Sequence, residues 1–201
     1  MMFIEVAPVY GKNYTAGHAF FTRCPGTRVD NGIGWHIHKD EDSPDYLLFT
    51  HCGICIGENR GIESTFFGGV HEVDLRKKYF DSDKYRIVFR EPRMLNIVGA
   101  DELIRISERL INLKLPYDFK LIIGQSLARN PITKNLFPEE VKQWILRMFN
   151  QENRYICSEL VAYIYYKSRI IDELLSTVNP QELFQHGMFR RWKYDRKNGK
   201  V

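Results

Sequence analysis

An α+β fold is what this sequence predicts, on three observations. The first hundred residues are rich in β-branched and aromatic side chains broken by turn signals, and after them the hydrophobic period changes from two to about 3.6. Strands and helices also segregate into two halves instead of alternating as they do in parallel βαβ sheets. The 201 residues suffice for one domain spanning 1–201, since no internal repeat or Ser/Gly-rich linker divides them. A composition of 44% hydrophobic, 13% aromatic and 27% charged residues excludes disordered, fibrous and low-complexity classes. Lys and Arg number 29 against 25 Asp and Glu, and a net charge of +4 is too small to imply nucleic acid. No apolar run approaches the ~18 residues of a membrane span. The opening MMFIEVAPVYGK lacks a basic start followed by a long apolar stretch, so no signal peptide is expected. The four cysteines then read as thiols of a reducing compartment, and the expected location is cytoplasmic.

Taken in order, strands are expected at residues 3–6, 19–22, 35–38, 46–57, 61–67, 71–74 and 86–90. They are separated by signals such as Cys24-Pro25-Gly26, Asp30-Asn31-Gly32 and Ser43-Pro44-Asp45. Asp101 suits the cap of a helix whose apolar stripe is Leu103, Ile104, Ile106, Leu110 and Ile111. Pro138-Glu139-Glu140 opens a second helix, with proline in the first turn and acids at the positive end of the dipole. Its core face would be Val141, Trp144, Ile145, Met148 and Phe149. A third helix is expected from about Cys157, carrying Leu160, Val161, Ile164 and Tyr165 inward. The tail, residues 190–201, is basic and follows Phe189; with Trp192 and Tyr194 it reads as a solvated or loosely docked terminus.

Two stretches carry residues suited to chemistry. In Tyr155-Ile156-Cys157-Ser158-Glu159-Leu160-Val161 a cysteine sits at the first turn of an apolar helix. Unpaired amides and the helix dipole favour a thiolate there, and the Cys157 amide is placed to stabilise an oxyanion. The same position also suits an inert, buried cysteine. The second stretch runs from Phe49 through His51-Cys52-Gly53-Ile54-Cys55-Ile56-Gly57 to Gly61-Ile62-Glu63, and reads as a β-hairpin. His51, Gly53 and Cys55 share one face, and Cys52, Ile54 and Ile56 share the other. A three-residue turn at 57–59 would put Gly53 opposite Glu63 and His51 diagonal to it, about 7–8 Å away between backbones. Gly53 would leave room for that contact, whereas a bulge would break the register. A carboxylate on one ring nitrogen would orient the imidazole and leave the other to take a thiol proton. A purely structural histidine fits the strand as well.

In these motifs the chain resembles the circularly permuted NlpC/P60 papain-like proteins, the YiiX/YebB-like group. The order histidine (His51), polar residue (Glu63), then cysteine (Cys157) is that of the permuted group. Leu115-Pro116-Tyr117-Asp118-Phe119 resembles its Tyr-Asp segment, and Val178-Asn179-Pro180-Gln181-Glu182-Leu183 its closing Pro-x-x-Leu segment. The resemblance covers about residues 46–190, leaving 1–45 as an unassigned N-terminal extension. It implies a permuted papain-like fold, an antiparallel sheet packed against a helix that carries the nucleophile. It further implies Cys157 as nucleophile, His51 as general base, Glu63 as the orienting residue and Tyr117 as a substrate or oxyanion contact. The implied activity is a cysteine hydrolase cleaving a peptide or isopeptide bond through an acyl-enzyme, with no cofactor and a peptide-like or acylated substrate.

Three other readings compete. His36, His38, His51, Cys52 and Cys55 lie close in sequence, but Cys52 and Cys55 are three apart on a strand and so face opposite ways, against a zinc knuckle. No metal is expected, and His71 and His186 read as surface or packing residues. A lipid-directed acyl hydrolase or transferase would use the same cysteine logic, with residues 189–201 as a weak contact to an anionic surface. A catalytically inert binding module would keep the shape without turnover.

Overall fold

The computed structural model describes residues 7–23, 48–117, 155–175 and 178–197. The strands expected at 3–6 and 35–38, the helix starting at Pro138, and His36 and His38 lie outside them. Six strands form one sheet among the described residues: β1 (Ala19–Arg23), β2 (His51–Gly57), β3 (Arg60–Thr65), β4 (Gly69–Asp74), β5 (Arg86–Pro92) and β6 (Phe189–Asp195). Their order across the sheet is β4-β3-β2-β1-β5-β6, and every neighbouring pair is antiparallel. Three α-helices accompany them among the described residues: α1 (Ile97–Leu113), α2 (Cys157–Lys167) and α3 (Pro180–Gln185). The architecture is α+β.

Alternation along the strands divides the core in two. Ala19, Phe21, Cys52, Ile54, Ile56, Ile62 and Val88 face the helices and meet Leu103 and Leu110 of α1, Leu160, Val161, Ile164 and Tyr165 of α2, and Leu183 and Phe184 of α3. Phe20, Cys55, Val73, Ile87, Phe89 and Tyr194 face the other way. That side is closed by Tyr14, whose ring stacks 4.7 Å from Phe89, and by Tyr79 and Phe80 of a π-helical turn, Arg76–Phe80. Cys52 and Cys55 therefore point into opposite cores.

Several boundaries differ from expectation, each for a local reason. β2 begins at His51: residues 46 and 47 of the expected strand lie outside the described residues, and the Phe49 amide donates to Gln181 Oε1 of α3 at 2.8 Å instead of to a strand partner. β3 ends at Thr65, so Phe66 lies in the turn that follows. The hairpin between β2 and β3 has a two-residue loop, Glu58-Asn59, with Asn59 at φ 56°, and a bulge between Cys55 and Gly57. The shorter loop and the extra bulge residue offset one another, so Gly53 still lies opposite Glu63. α1 is capped by Asn96, not Asp101: the Asn96 side chain accepts the Gly99 amide at 2.8 Å. Its first turn carries Ile97 and Val98 outward, 82% and 78% exposed, which hid the start of the amphipathic pattern.

The expectation of a loose tail is corrected. Residues 189–195 are edge strand β6, with Phe189, Tyr194 and Asp195 buried and Trp192 packed on Phe184. Against β5, β6 slips by one residue twice, between the pairs Phe89↔Tyr194, Arg90↔Trp192 and Pro92↔Phe189. These bulges break the period of two that would have marked the segment as a strand. Lys193 pairs with Glu91 at 3.0 Å, so its ammonium is engaged within the sheet. No helix among the described residues is long and apolar enough to cross a membrane.

Candidate active site

Three pieces of backbone bring the site together. His51 opens β2, and Glu63 sits on β3 opposite Gly53, which makes the pair diagonal neighbours. Gly53 is required for a different reason from the one its spacing suggests. A Cβ there would lie 2.3 Å from Phe20 Cζ and 2.4 Å from the Ile62 carbonyl, so the glycine admits the Phe20 ring. Cys157 is the first residue of α2, whose cap residue Ile156 supplies no side-chain acceptor to the first amides. Ser64 Oγ donates to the Tyr155 carbonyl at 2.7 Å, tying β3 to the chain just before Cys157. The strand β4 is tied in turn to the segment carrying Tyr117, through the Val70 amide and the Leu115 carbonyl at 2.8 Å. On the far side of Cys157, Ser158 Oγ donates to the Val178 carbonyl, just ahead of the Asn179–Glu182 capping box of α3.

The resulting geometry joins sulfur, ring and carboxylate. His51 Nε2 lies 2.9 Å from Glu63 Oε2, and the His51 side chain also hydrogen-bonds Cys157. With Nε2 on the carboxylate, Nδ1 is the ring nitrogen left for the thiol. Cys157 is buried at 4% exposure, while the His51 side chain keeps 22%, so the solvent-facing part of the trio is the imidazole. The hydrogen bond from the Cys52 side chain, followed by the positive charge of His51, holds the Cys157 thiol well below its ordinary range against the effect of burial. Burial alone would depress His51, but the Cys157 charge and its hydrogen bonds to Cys157 and Glu63 raise it to about 9. The pair therefore favours thiolate and imidazolium.

Glu63 is fully buried and takes four donors. His51 Nε2 and Tyr79 Oη, at 2.6 Å, reach Oε2, while His71 Nε2, at 3.0 Å, and Lys78 Nζ reach Oε1. Burial would raise its carboxyl, yet the bonds from His51 and His71 and the charge of Lys78 keep it well below the usual carboxylate range. The reading of His71 as a surface or packing residue is thereby corrected: it is the direct cross-strand partner of Glu63. The signal for this lay in the Phe67-Gly68-Gly69 turn, which sets the β3–β4 register. Lys78 and Tyr79 arrive on the π-helical turn and had no signal. Tyr117 places its ring edge-on to Phe66, 6.2 Å between centroids, at the β3–β4 turn. His186 is exposed and its Nδ1 accepts the Met188 amide at 3.3 Å.

These features define an α+β domain with a cysteine at a helix tip, set against an antiparallel sheet that carries a histidine–glutamate pair. No family model matches the chain, and no curated protein matches it. Among solved structures it is similar to the crystal structure of metalloprotein YiiX from Escherichia coli O157:H7, with a TM-score of 0.54 and 15% identity, over 87% of this chain and 94% of that one. At that identity the likeness establishes a shared fold.

Proposed function

We propose that this chain is a papain-like cysteine hydrolase of the permuted NlpC/P60 type, cleaving an amide bond of a peptide or isopeptide. The observation that carries the reading is the run from Cys157 through His51 to Glu63, three groups from three elements hydrogen-bonded in series. In this mechanism His51 Nδ1 holds the thiol proton and the Cys157 thiolate attacks the carbonyl carbon. The Cys157 amide at the start of α2 donates to the developing oxyanion, with Tyr117 as a further substrate contact. Collapse expels the amine, which leaves with the proton from His51, and a thioester remains. Water then gives a proton to Nδ1 and attacks that thioester, releasing the acid and restoring the thiolate. Glu63 keeps the Nε2–H on its own side of the ring throughout.

YiiX is titled a metalloprotein. In this chain His51 and His71 each hydrogen-bond Glu63, on Oε2 and Oε1, and the Lys78 ammonium sits on Oε1 where a metal cation would have to enter. This arrangement does not fit a metal, and no step runs through one. An acyl-directed variant of the same chemistry would draw support from Phe67, 95% exposed beside Phe66 at the β3–β4 turn.

Alkylation by iodoacetamide near neutral pH tests the proposal. Cys157 is expected to react faster than the other thiols, and the advantage should vanish in His51→Ala. Equal labelling of all four cysteines would support an inert module instead. Cys157→Ala should abolish hydrolysis of a model peptide amide while leaving the circular dichroism spectrum unchanged.

A further inference from the structure

The surroundings of Glu63 determine the charge of a second histidine. His71 Nδ1 is 2.9 Å from the Gly69 carbonyl, which can only accept, so Nδ1 carries a hydrogen. Its Nε2 is 3.0 Å from Glu63 Oε1. That oxygen has no proton to offer, because the Lys78 ammonium already donates to it, and Oε2 is taken by Tyr79 and His51. Nε2 must therefore carry a hydrogen as well, and a ring with both nitrogens protonated is a cation.

The turn before β4 is shaped for this ring. Gly69 adopts φ +58°, and a Cβ there would lie 2.3 Å from the Leu115 carbonyl; a Cβ on Gly68 would lie 2.9 Å from His71 Nδ1. The charged and titratable groups facing His71 are Glu63 from β3, Lys78 and Tyr79 from the π-helical turn, and His51 across the carboxylate from β2.

We propose that His71 is a positioning residue that stands as an imidazolium and, with Lys78, compensates the charge of Glu63, so that Glu63 orients His51 without locking it in its protonated form. The inference rests on the hydrolase reading and adds residues to it. A lone buried carboxylate beside His51 would hold its imidazolium tightly and oppose the proton transfers that the leaving amine and the water require. Two cations on the far oxygen weaken that hold, while the hydrogen bond on Oε2 keeps the ring in place.

Imidazole nitrogen NMR on the full-length protein tests this directly. At pH 7 His71 should show both ring nitrogens protonated, with a titration midpoint above that of a free histidine. His71→Gln retains an N–H donor but loses the charge, and should raise the His51 midpoint by about one unit. Lys78→Met removes a cation from the same oxygen without touching the ring, and should shift His51 in the same direction even if the His71 variant fails to fold. A singly protonated His71 at pH 7, or a His51 midpoint unmoved in a folded variant, would overturn the proposal. The two failures are separable. A wild-type Cys157 inert to iodoacetamide would remove the hydrolase itself, whereas a reactive Cys157 beside a neutral His71 would remove only this inference.

Discussion

Glu63 shows how much one side chain can organise when it is buried as an anion. Removing its charge acts on both chemistry and stability. In the proposed hydrolase mechanism, Glu63→Gln can offer an N–H to His51 Nε2 and so favour the wrong tautomer, and kcat should fall by about 10²–10⁴-fold without reaching zero. The same variant leaves His71 and Lys78 facing a neutral amide, and should lower stability by about 1–3 kcal/mol in urea titrations, a modest loss because both cations are partly exposed. His18 makes a separate contribution to pH dependence. Burial pushes its imidazole down from 6.5 to about 4, and its Nδ1 accepts the Thr15 amide at 3.3 Å. Between those two values the unfolded chain binds a proton that folded His18 does not, so stability rises with pH across the window and is fully present above 6.5. As pH falls from 7 to 4, His18 should contribute a loss of about 3 kcal/mol at most, and His18→Gln should flatten the fall in thermal midpoint accordingly.

At the scale of elements, the hairpin of β2 and β3 depends on one close approach. Gly53→Ala would set a methyl 2.4 Å from the Ile62 carbonyl as well as against the Phe20 ring, and backbone cannot move aside as a flexible side chain can. A loss of about 3 kcal/mol is expected from the urea midpoint, together with a weakened His51–Glu63 contact. The edge strand β6 gives a sharper test. Phe189 and Tyr194 enter opposite cores, and Asp195 pairs with buried Arg86. A chain ending at residue 188 should therefore lose cooperative unfolding, whereas a loose tail could be removed at no cost. The composition of this segment is basic and aromatic, and each slip against β5 inserts an extra residue of β6, which breaks the alternation that would have announced a strand. The start of α1 was obscure for a related reason. Ile97 and Val98 are apolar but face outward, and only the capping bond from Asn96 marks where the helix begins.

For the molecule as a whole, what could be read in advance follows the range of the interactions. The division into a strand-rich and a helix-rich part, the inward stripe of α2 from Leu160 to Tyr165, the opposed faces of Cys52 and Cys55, and the diagonal of His51 and Glu63 are all consequences of near neighbours in the chain. Periodicity determines them, because side-chain direction repeats every two residues in a strand and every 3.6 in a helix, and the His51–Glu63 diagonal is kept because the two-residue loop and the bulge offset one another. Tertiary structure alone decided that Cys157 meets His51, that His71, Lys78 and Tyr79 converge on one carboxylate, and that the last strand closes the sheet at the far edge from them. A buried charge must collect donors from whichever elements packing brings beside it, and that packing is settled by the two cores across the sheet, which no local stretch of sequence contains.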